Sequence, residues 1–445
     1  MLVDPQVNAA GEVSSGERTD PRVIPLAALG VAAVLLGGSQ FWASTHGHLG
    51  PLLSLVADFL GNPQSAFVSW AGLGLACVGV PARLRVITLG AAAVLDVLTL
   101  GLQLLCGWHV SIGTGPTLAL TGLALTVARW HGPPRRAAMR AIAFGVLLIM
   151  ASKLADTWLM ISIAAGPDVL DPYLLLADHA LGEPSWVVGA LLEAGGAIPK
   201  AILHVIYIQL PVAAMVVAVW QLRGVTTGPW PRHNLLRTFL VLGMIGPLIY
   251  VLFPVVGPVF AYGPEGNGLQ LGDWPNVLPT LNFIPAALPF DTETARNCMP
   301  SMHTAWALAL FIHSRVGPRW LRWAGGLWLV GTLLATLGFG YHYGVDLVAG
   351  AVLCLTVESA LRDPERGWNR YRVRAVVLGI AVFAGLLLSY RFLATTMADH
   401  PVPSGLVVLG VLGAVVFTFH ATWFAAPEGR AARWGGRAGQ PLAIN

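Results

Sequence analysis

Charged side chains are scarce in this chain of 445 residues: they make up 11% of it, where a soluble domain of this size carries about 25%. There is too little polar surface here to coat a water-facing globule. Lysine is nearly absent, with two lysines among 26 basic residues. Cysteine is also sparse, and Cys77, Cys106, Cys298 and Cys354 show no metal-ligand spacing. Cys77 and Cys354 sit inside apolar runs as small buried residues. Cys106 and Cys298 are both expected near one surface and are the candidates for a disulfide. No cleavable signal peptide is expected, because the first apolar run, from Val23, is long enough to span a bilayer and follows a polar stretch.

Apolar residues are what the chain has instead. They make up 56% of it, with a mean hydropathy of +0.69, and runs long enough to cross a bilayer recur along the whole length. The class is an all-α polytopic membrane protein of about 12 transmembrane helices. The spans are expected near 23–42, 65–81, 85–106, 110–128, 141–164, 201–222, 235–256, 301–316, 320–341, 344–361, 372–394 and 404–424. The stretches 51–60 and 173–193 are read as interfacial. The net charge of +4 does not indicate a nucleic-acid partner, because the basic residues fall in short links between apolar runs. With the N-terminus inside, the inner links hold 22 of the 26 basic residues. Both termini, a tail over 1–22 and a basic tail over 425–445, are then cytoplasmic in a multi-pass protein of the cell membrane.

The four exceptions are Lys153, Lys200, Arg296 and Arg391. Lys153 lies mid-span, with Asp156 three residues on and Asp96 in another span as candidate counter-charges. Lys200 and Arg296 lie on the outer side, Arg296 in a long loop over 257–299. That loop holds six prolines between Pro258 and Pro289 and reads as a lid. Trp42, Trp108, Trp158, Trp186 and Trp274 read as an interfacial belt.

Two short segments carry chemistry. Pro300-Ser301-Met302-His303 opens one span, and His342-Tyr343-Gly344-Val345-Asp346 joins two others; the charge count puts both on the outer face. Pro300 and the free N–H groups of a first helical turn make an anion site, to which Ser301 adds a hydroxyl. His342 and Asp346 are four apart and share a helix face, so the carboxylate can fix the tautomer of an imidazole and leave its other nitrogen nucleophilic.

The pair Pro-Ser-x-His and His-Tyr-x-x-Asp resembles the second and third signature blocks of the type 2 phosphatidic acid phosphatase superfamily. The resemblance implies a catalytic six-helix core over 141–361. It implies that His342 is the nucleophile that forms a phosphohistidine, Asp346 its orienting partner, His303 the acid and base, and Ser301 a phosphate ligand. Two departures stand out. The Arg that usually precedes the third block is missing, its place taken by Ala335 and Thr336. The first block's Lys and Arg-Pro are replaced by Phe253-Pro254-Val255-Val256-Gly257-Pro258. Both losses make the chain similar to the inositol-phosphotransferase branch, which includes inositol phosphorylceramide synthases; the stretch Asp178 to Gly182 is similar as well.

The substrate's charge then falls to Lys200 and Arg296, with Tyr343 and His204 completing the candidate binding set. No metal and no cofactor are expected, since histidines and cations can perform this chemistry. The expected activity is transfer of a head-group phosphate from a lipid of the outer leaflet to an alcohol such as inositol or another lipid. The alternatives are hydrolysis, with water as acceptor, and a membrane transporter, for which the chain lacks an internal repeat. The accessory helices over 23–130, the hairpin over 372–424 and the oligomeric state carry no readable signal.

Overall fold

The computed structural model describes residues 23–61, 66–263, 274–426 and 429–430. The N-terminal tail, most of the basic C-terminal tail and the middle of the loop 257–299 lie outside the described residues. Apolar runs become helices because a chain in lipid must satisfy every backbone N–H and C=O within itself. Proline marks many starts, where its missing N–H costs no hydrogen bond.

The first lobe holds α1 (Val23–Thr45), α2 (Pro51–Phe59), α3 (Ala66–Val78), α4 (Ala82–Cys106), α5 (Thr114–Ala128) and α6 (Gly132–Ala165). Helices α3 and α6 cross with their backbones touching, since a Cβ on Gly145 would stand 2.3 Å from the carbonyl oxygen of Gly72. Such small-residue crossings bring helices together where no hydrophobic force between them is available.

The buried polar groups of this lobe pair differently from expectation. The ammonium of Lys153 lies 2.8 Å from the Asp58 carboxylate and 2.9 Å from Ser54 Oγ, not against Asp156 or Asp96. The sequence reading had set aside 51–60 as interfacial, yet α2 packs onto α6 and delivers Asp58. Asp96 instead caps the N-terminus of α5, accepting from the N–H groups of Gly113 (3.1 Å) and Gly115 (2.7 Å) and from Trp70 Nε1 (3.0 Å). A carboxylate at the positive end of a helix needs no cation.

The second lobe begins with strand β1 (Asp168–Val169), then α7 (Asp171–Asp178), α8 (Pro184–Gly195), α9 (Ala197–Ile208), α10 (Leu210–Leu222), α11 (Leu235–Leu252) and α12 (Pro258–Tyr262). Strand β2 (Leu288–Pro289) pairs antiparallel with β1 and ties the loop down. There follow α13 (Met302–Ser314), α14 (Arg319–Gly338), α15 (Gly344–Leu361), α16 (Arg370–Phe392), α17 (Ala394–Asp399) and α18 (Pro401–Trp423). Helix α15 is the axis of this lobe: 78% of its most apolar stretch is buried, against 44% or less in the other long spans. Helices α11, α13, α16 and α18 surround it. The lobes meet where α3 packs on α10 and α6 on α11, around Leu75, Val78, Ala218, Leu222 and Leu236.

Each of the twelve expected spans is helical, but they are unequal. Among the described residues six helices (α4, α6, α11, α15, α16 and α18) are long and apolar enough to cross a membrane. The span expected at 201–222 is a pair, α9 and α10, bent by 51°. The break falls at Gln209, just before Pro211, whose ring cannot continue a helix from the preceding turn. Helices α3 and α13, at 13 residues each, reach about 20 Å, against roughly 30 Å of hydrocarbon. The stretch 173–193 divides into α7 and α8 around a 3-10 turn at His179–Leu181. Trp186 and Trp274, expected in the interfacial belt, are buried at 5% and 9% exposure, and Trp186 Nε1 donates to the Val277 carbonyl in the loop.

Candidate active site

The two signature segments meet at the start of α15. The Ser301 N–H donates to the Asp346 carbonyl at 3.1 Å. The approach is this close because residue 350 is glycine; a Cβ there would stand 2.3 Å from the Ser301 carbonyl oxygen. Ser301 is the N-cap of α13, its Oγ accepting from the Thr304 N–H (3.3 Å) and the Thr304 hydroxyl (3.0 Å). Capping leaves the serine one proton to donate.

The His303 ring projects from the first turn of α13. It stacks on Tyr207 of the bent pair, with centroids 4.0 Å apart and planes 16° from parallel. His342 lies in the link between α14 and α15, its ring 6.4 Å from that of His303. It is 3% exposed, and burial pushes its imidazole down to about 4, so the ring is neutral at physiological pH. Asp346 is fully buried and caps α15 by accepting the Tyr343 N–H at 2.8 Å.

The expected His342–Asp346 pairing is present but long, with Nδ1 3.6 Å from Oδ2. Cys298 stands between them. Its thiol donates to Asp346 Oδ2 at 2.7 Å and lies 3.5 Å from His342 Nδ1. The other carboxylate oxygen, Oδ1, has no partner. No disulfide joins Cys298 to Cys106: both are free, Cys298 buried in the site and Cys106 exposed at the end of α4.

Two further buried carboxylates, Asp171 and Asp178, hold the links. Asp171 accepts from the N–H groups of Val256 (3.0 Å) and Gly257 (2.9 Å) and from the Tyr343 hydroxyl (2.8 Å). Burial pushes Asp171 up to about 6. Asp178 accepts from the Val345 N–H at 3.0 Å. The Asp178 to Gly182 stretch thus reaches the site through the backbone of α15, and the segment 253–258 is tied to it through Asp171.

The candidate cations are not brought in. Lys200 pairs with Glu193 at 2.8 Å on an exposed surface. Arg296 is fully buried, its guanidinium donating to the carbonyls of Gly166, Pro167, Asp291 and Thr294 and pairing with the Asp291 carboxylate. It clamps the loop to the β1–β2 ribbon. Among the described residues no Lys or Arg is ion-paired with Asp346 or hydrogen-bonded to either histidine. Tyr343 points its hydroxyl at Asp171, so it supports the link from behind. His204 is exposed on α9, edge-on to Phe339 at 6.1 Å.

A metal could be held in two places by donor distance: Cys298, His342 and Asp346, or His233, His313 and Glu358. At the second, Gln221 accepts the Leu235 N–H through Oε1 (2.9 Å), which turns its Nε2 toward His313 Nδ1 (2.9 Å). His313 then carries its proton on Nε2 and donates it to Glu358 at 2.8 Å, so that nitrogen has no lone pair for a metal. Thr238 (2.6 Å), His233 (3.2 Å) and Arg362 (3.3 Å) complete the shell around Glu358. At the first, the thiol proton already bridges to the carboxylate. The Glu358 cluster was not singled out from the sequence, and Cys298 was read there only as a disulfide candidate. No spacing rule flags them, because each gathers residues from separate helices.

Two histidine rings and a carboxylate are thus gathered among apolar helices at the starts of α13 and α15. Residues 174–359, less than half of the chain, match the family model of the PAP2 superfamily, which supports a phosphatase or phosphotransferase activity. The match starts past α6, which the sequence reading counted as the first core helix. Residues 24–161, which take in most of α1 to α6, match a domain of unknown function, DUF5933. No curated protein and no solved structure matches the chain.

Proposed function

We infer that the enzyme transfers a phosphate-containing head group from a lipid donor to an alcohol, through a phosphohistidine on His342. The observation that carries this reading is the pair of histidine rings, 6.4 Å apart, on segments joined by the Ser301–Asp346 backbone bond. His342 turns Nδ1 toward Asp346 and Cys298, which leaves Nε2 to attack phosphorus. The N–P bond forms as the P–O bond to the leaving alcohol breaks, and His303 protonates the departing oxygen. His303 then takes the proton of the acceptor hydroxyl, whose oxygen attacks phosphorus and releases His342. A positioned acid–base group of this kind is worth about 10²–10⁴ in rate.

Lipid from the outer leaflet supplies the donor, and inositol or another lipid the acceptor, as in the inositol-phosphotransferase branch. Twelve spans with both termini cytoplasmic and the site extracytoplasmic follow from the placement of 22 of 26 basic residues on the inner links. Cys106 provides a native test of sidedness, since the other three cysteines are buried. A membrane-impermeant maleimide should label it on intact cells; labelling only after lysis reverses the orientation.

For activity, purified protein and His342→Ala are incubated with labelled phospholipids, prenyl phosphates and phosphoinositides, with and without alcohols. A new phosphodiester formed by the wild type and not by the variant supports transfer. Free phosphate identifies hydrolysis, and a variant as active as the wild type removes His342 from its role.

A further inference from the structure

Among the described residues no Lys or Arg pairs with the site's histidines or Asp346, yet tyrosine rings pack beside the site. Tyr207 from α9 stacks on His303, and Tyr341, the neighbour of His342 in the chain, lies 5.1 Å from Tyr207 between ring centroids. Tyr250 from α11 is 5% exposed, and its hydroxyl lies within electrostatic reach of Cys298, Tyr207 and Asp346. Tyr207 thus sets its ring against His303 with Tyr341 beside it, and Tyr250 lies near the same group of residues. Among the described residues none of these hydroxyls has a hydrogen-bond partner. Other tyrosines of the core differ. Tyr343 is bonded to Asp171, while the hydroxyls of Tyr262 and Tyr390 are unpartnered but sealed from any ligand.

Tyr207 and Tyr341 are only half-buried, and phenols beside a reaction centre with no partner in the protein are free to donate to a ligand that accepts hydrogen bonds. The geometry points to Tyr207, Tyr250 and Tyr341 as the phosphoryl-binding residues of the enzyme, donating to the non-bridging oxygens of a monoanionic phosphodiester. The assignment rests on the phosphotransfer reading above and names its substrate class. Phenols supply hydrogen bonds but no countercharge. A phosphomonoester carries nearly two negative charges at neutral pH, and desolvating the second without a cation is strongly unfavourable. A diester carries one charge, which neutral donors and the α13 N-terminus can satisfy.

Two lipids with the same chains separate the classes: dioctanoyl phosphatidylmethanol, a diester, and dioctanoyl phosphatidic acid, a monoester. Binding is measured by calorimetry at pH 8 in detergent, on the full chain carrying His342→Ala so that nothing turns over. The diester is expected to bind at least about tenfold more tightly. Tyr207→Phe, Tyr250→Phe and Tyr341→Phe should each weaken it at least about tenfold, the worth of one hydrogen bond to a charged group. Each variant should keep its melting temperature, and Tyr390→Phe should leave affinity unchanged. Variants that bind like their parent, a monoester bound equally well or better, or no binding of either lipid would each overturn the assignment. Failure of the phosphotransfer reading shows separately, as label transfer that survives His342→Ala.

Discussion

At the scale of single residues, the site is governed by what burial does to His342. With its imidazole pushed down to about 4, the neutral, nucleophilic form persists across the whole physiological range. On the proposed phosphohistidine route the attacking ring must be unprotonated, so the acid limb that His342 sets lies near 4, where activity is lost as pH falls. A profile of kcat/KM on a lipid donor should therefore show no acid limb between pH 8 and pH 5. A limb centred at the usual histidine value of about 6.5 would mean that water reaches the ring freely. Cys298 sets a second condition, because its thiol and the Tyr343 N–H both donate to Asp346 Oδ2. Cys298→Ala removes a donor from a buried carboxylate and is expected to cost about 1–3 kcal/mol of stability. Cys298→Ser retains a donor and should recover most of that loss in a thermal melt. Equal losses in the two variants would show that the side chain's volume matters and its proton does not.

At the scale of helices, the reaction centre depends on where α13 and α15 sit, and both ends of that pair are pinned. At the site end the pin is the Gly350 contact with the Ser301 carbonyl oxygen. Any side chain at 350 overpacks backbone against backbone, which costs about 1–3 kcal/mol. Gly350→Ala should thus lower kcat by displacing His303 from His342, with substrate affinity less affected. At the far end the pin is Glu358, which accepts from Thr238 of α11, His313 of α13 and His233. Glu358→Gln keeps the shape but replaces an acceptor oxygen with an amide donor that faces other donors. A stability loss of about 1–3 kcal/mol is expected from the unmet groups, read as a lowered melting temperature; an unchanged melt would show that the cluster does not hold the helices. What was legible in the sequence follows the same division. Ser301, His303, His342 and Asp346 could be read because their spacing is local. Cys298, Tyr207, Tyr250 and Glu358 could not, because only the packing of α9, α11, α13 and α15 makes them neighbours. Lys200 and Arg296 were sought as cations for the phosphate by elimination, and the partners that hold them, Glu193 and the loop carbonyls, carry no sequence signal.

At the scale of the molecule, the two matched segments correspond to two lobes with different kinds of glue. The catalytic lobe is built on one continuous apolar core around α15. The first lobe has a smaller core and keeps an ion pair inside it, with Lys153 and Asp58 at 7% and 2% side-chain exposure. At nine residues α2 cannot span a bilayer; it docks through that ion pair and through apolar side chains such as Leu55. Lys153→Met would strand the Asp58 carboxylate in an apolar setting, and breaking a buried pair in this way costs about 3–5 kcal/mol. The double variant Lys153→Met with Asp58→Leu removes both charges together and should regain most of that loss, since apolar packing can replace a buried pair. None of the proposed reacting groups lies in the first lobe. The fraction of the single variant that remains folded should therefore turn over donor lipid at the wild-type rate per molecule. A single variant as stable as the wild type would show that α2 is held by its apolar face. A double variant no better than the single would show that α2 docks through the geometry of the ion pair, and that the first lobe is specified by charge where the second is specified by packing.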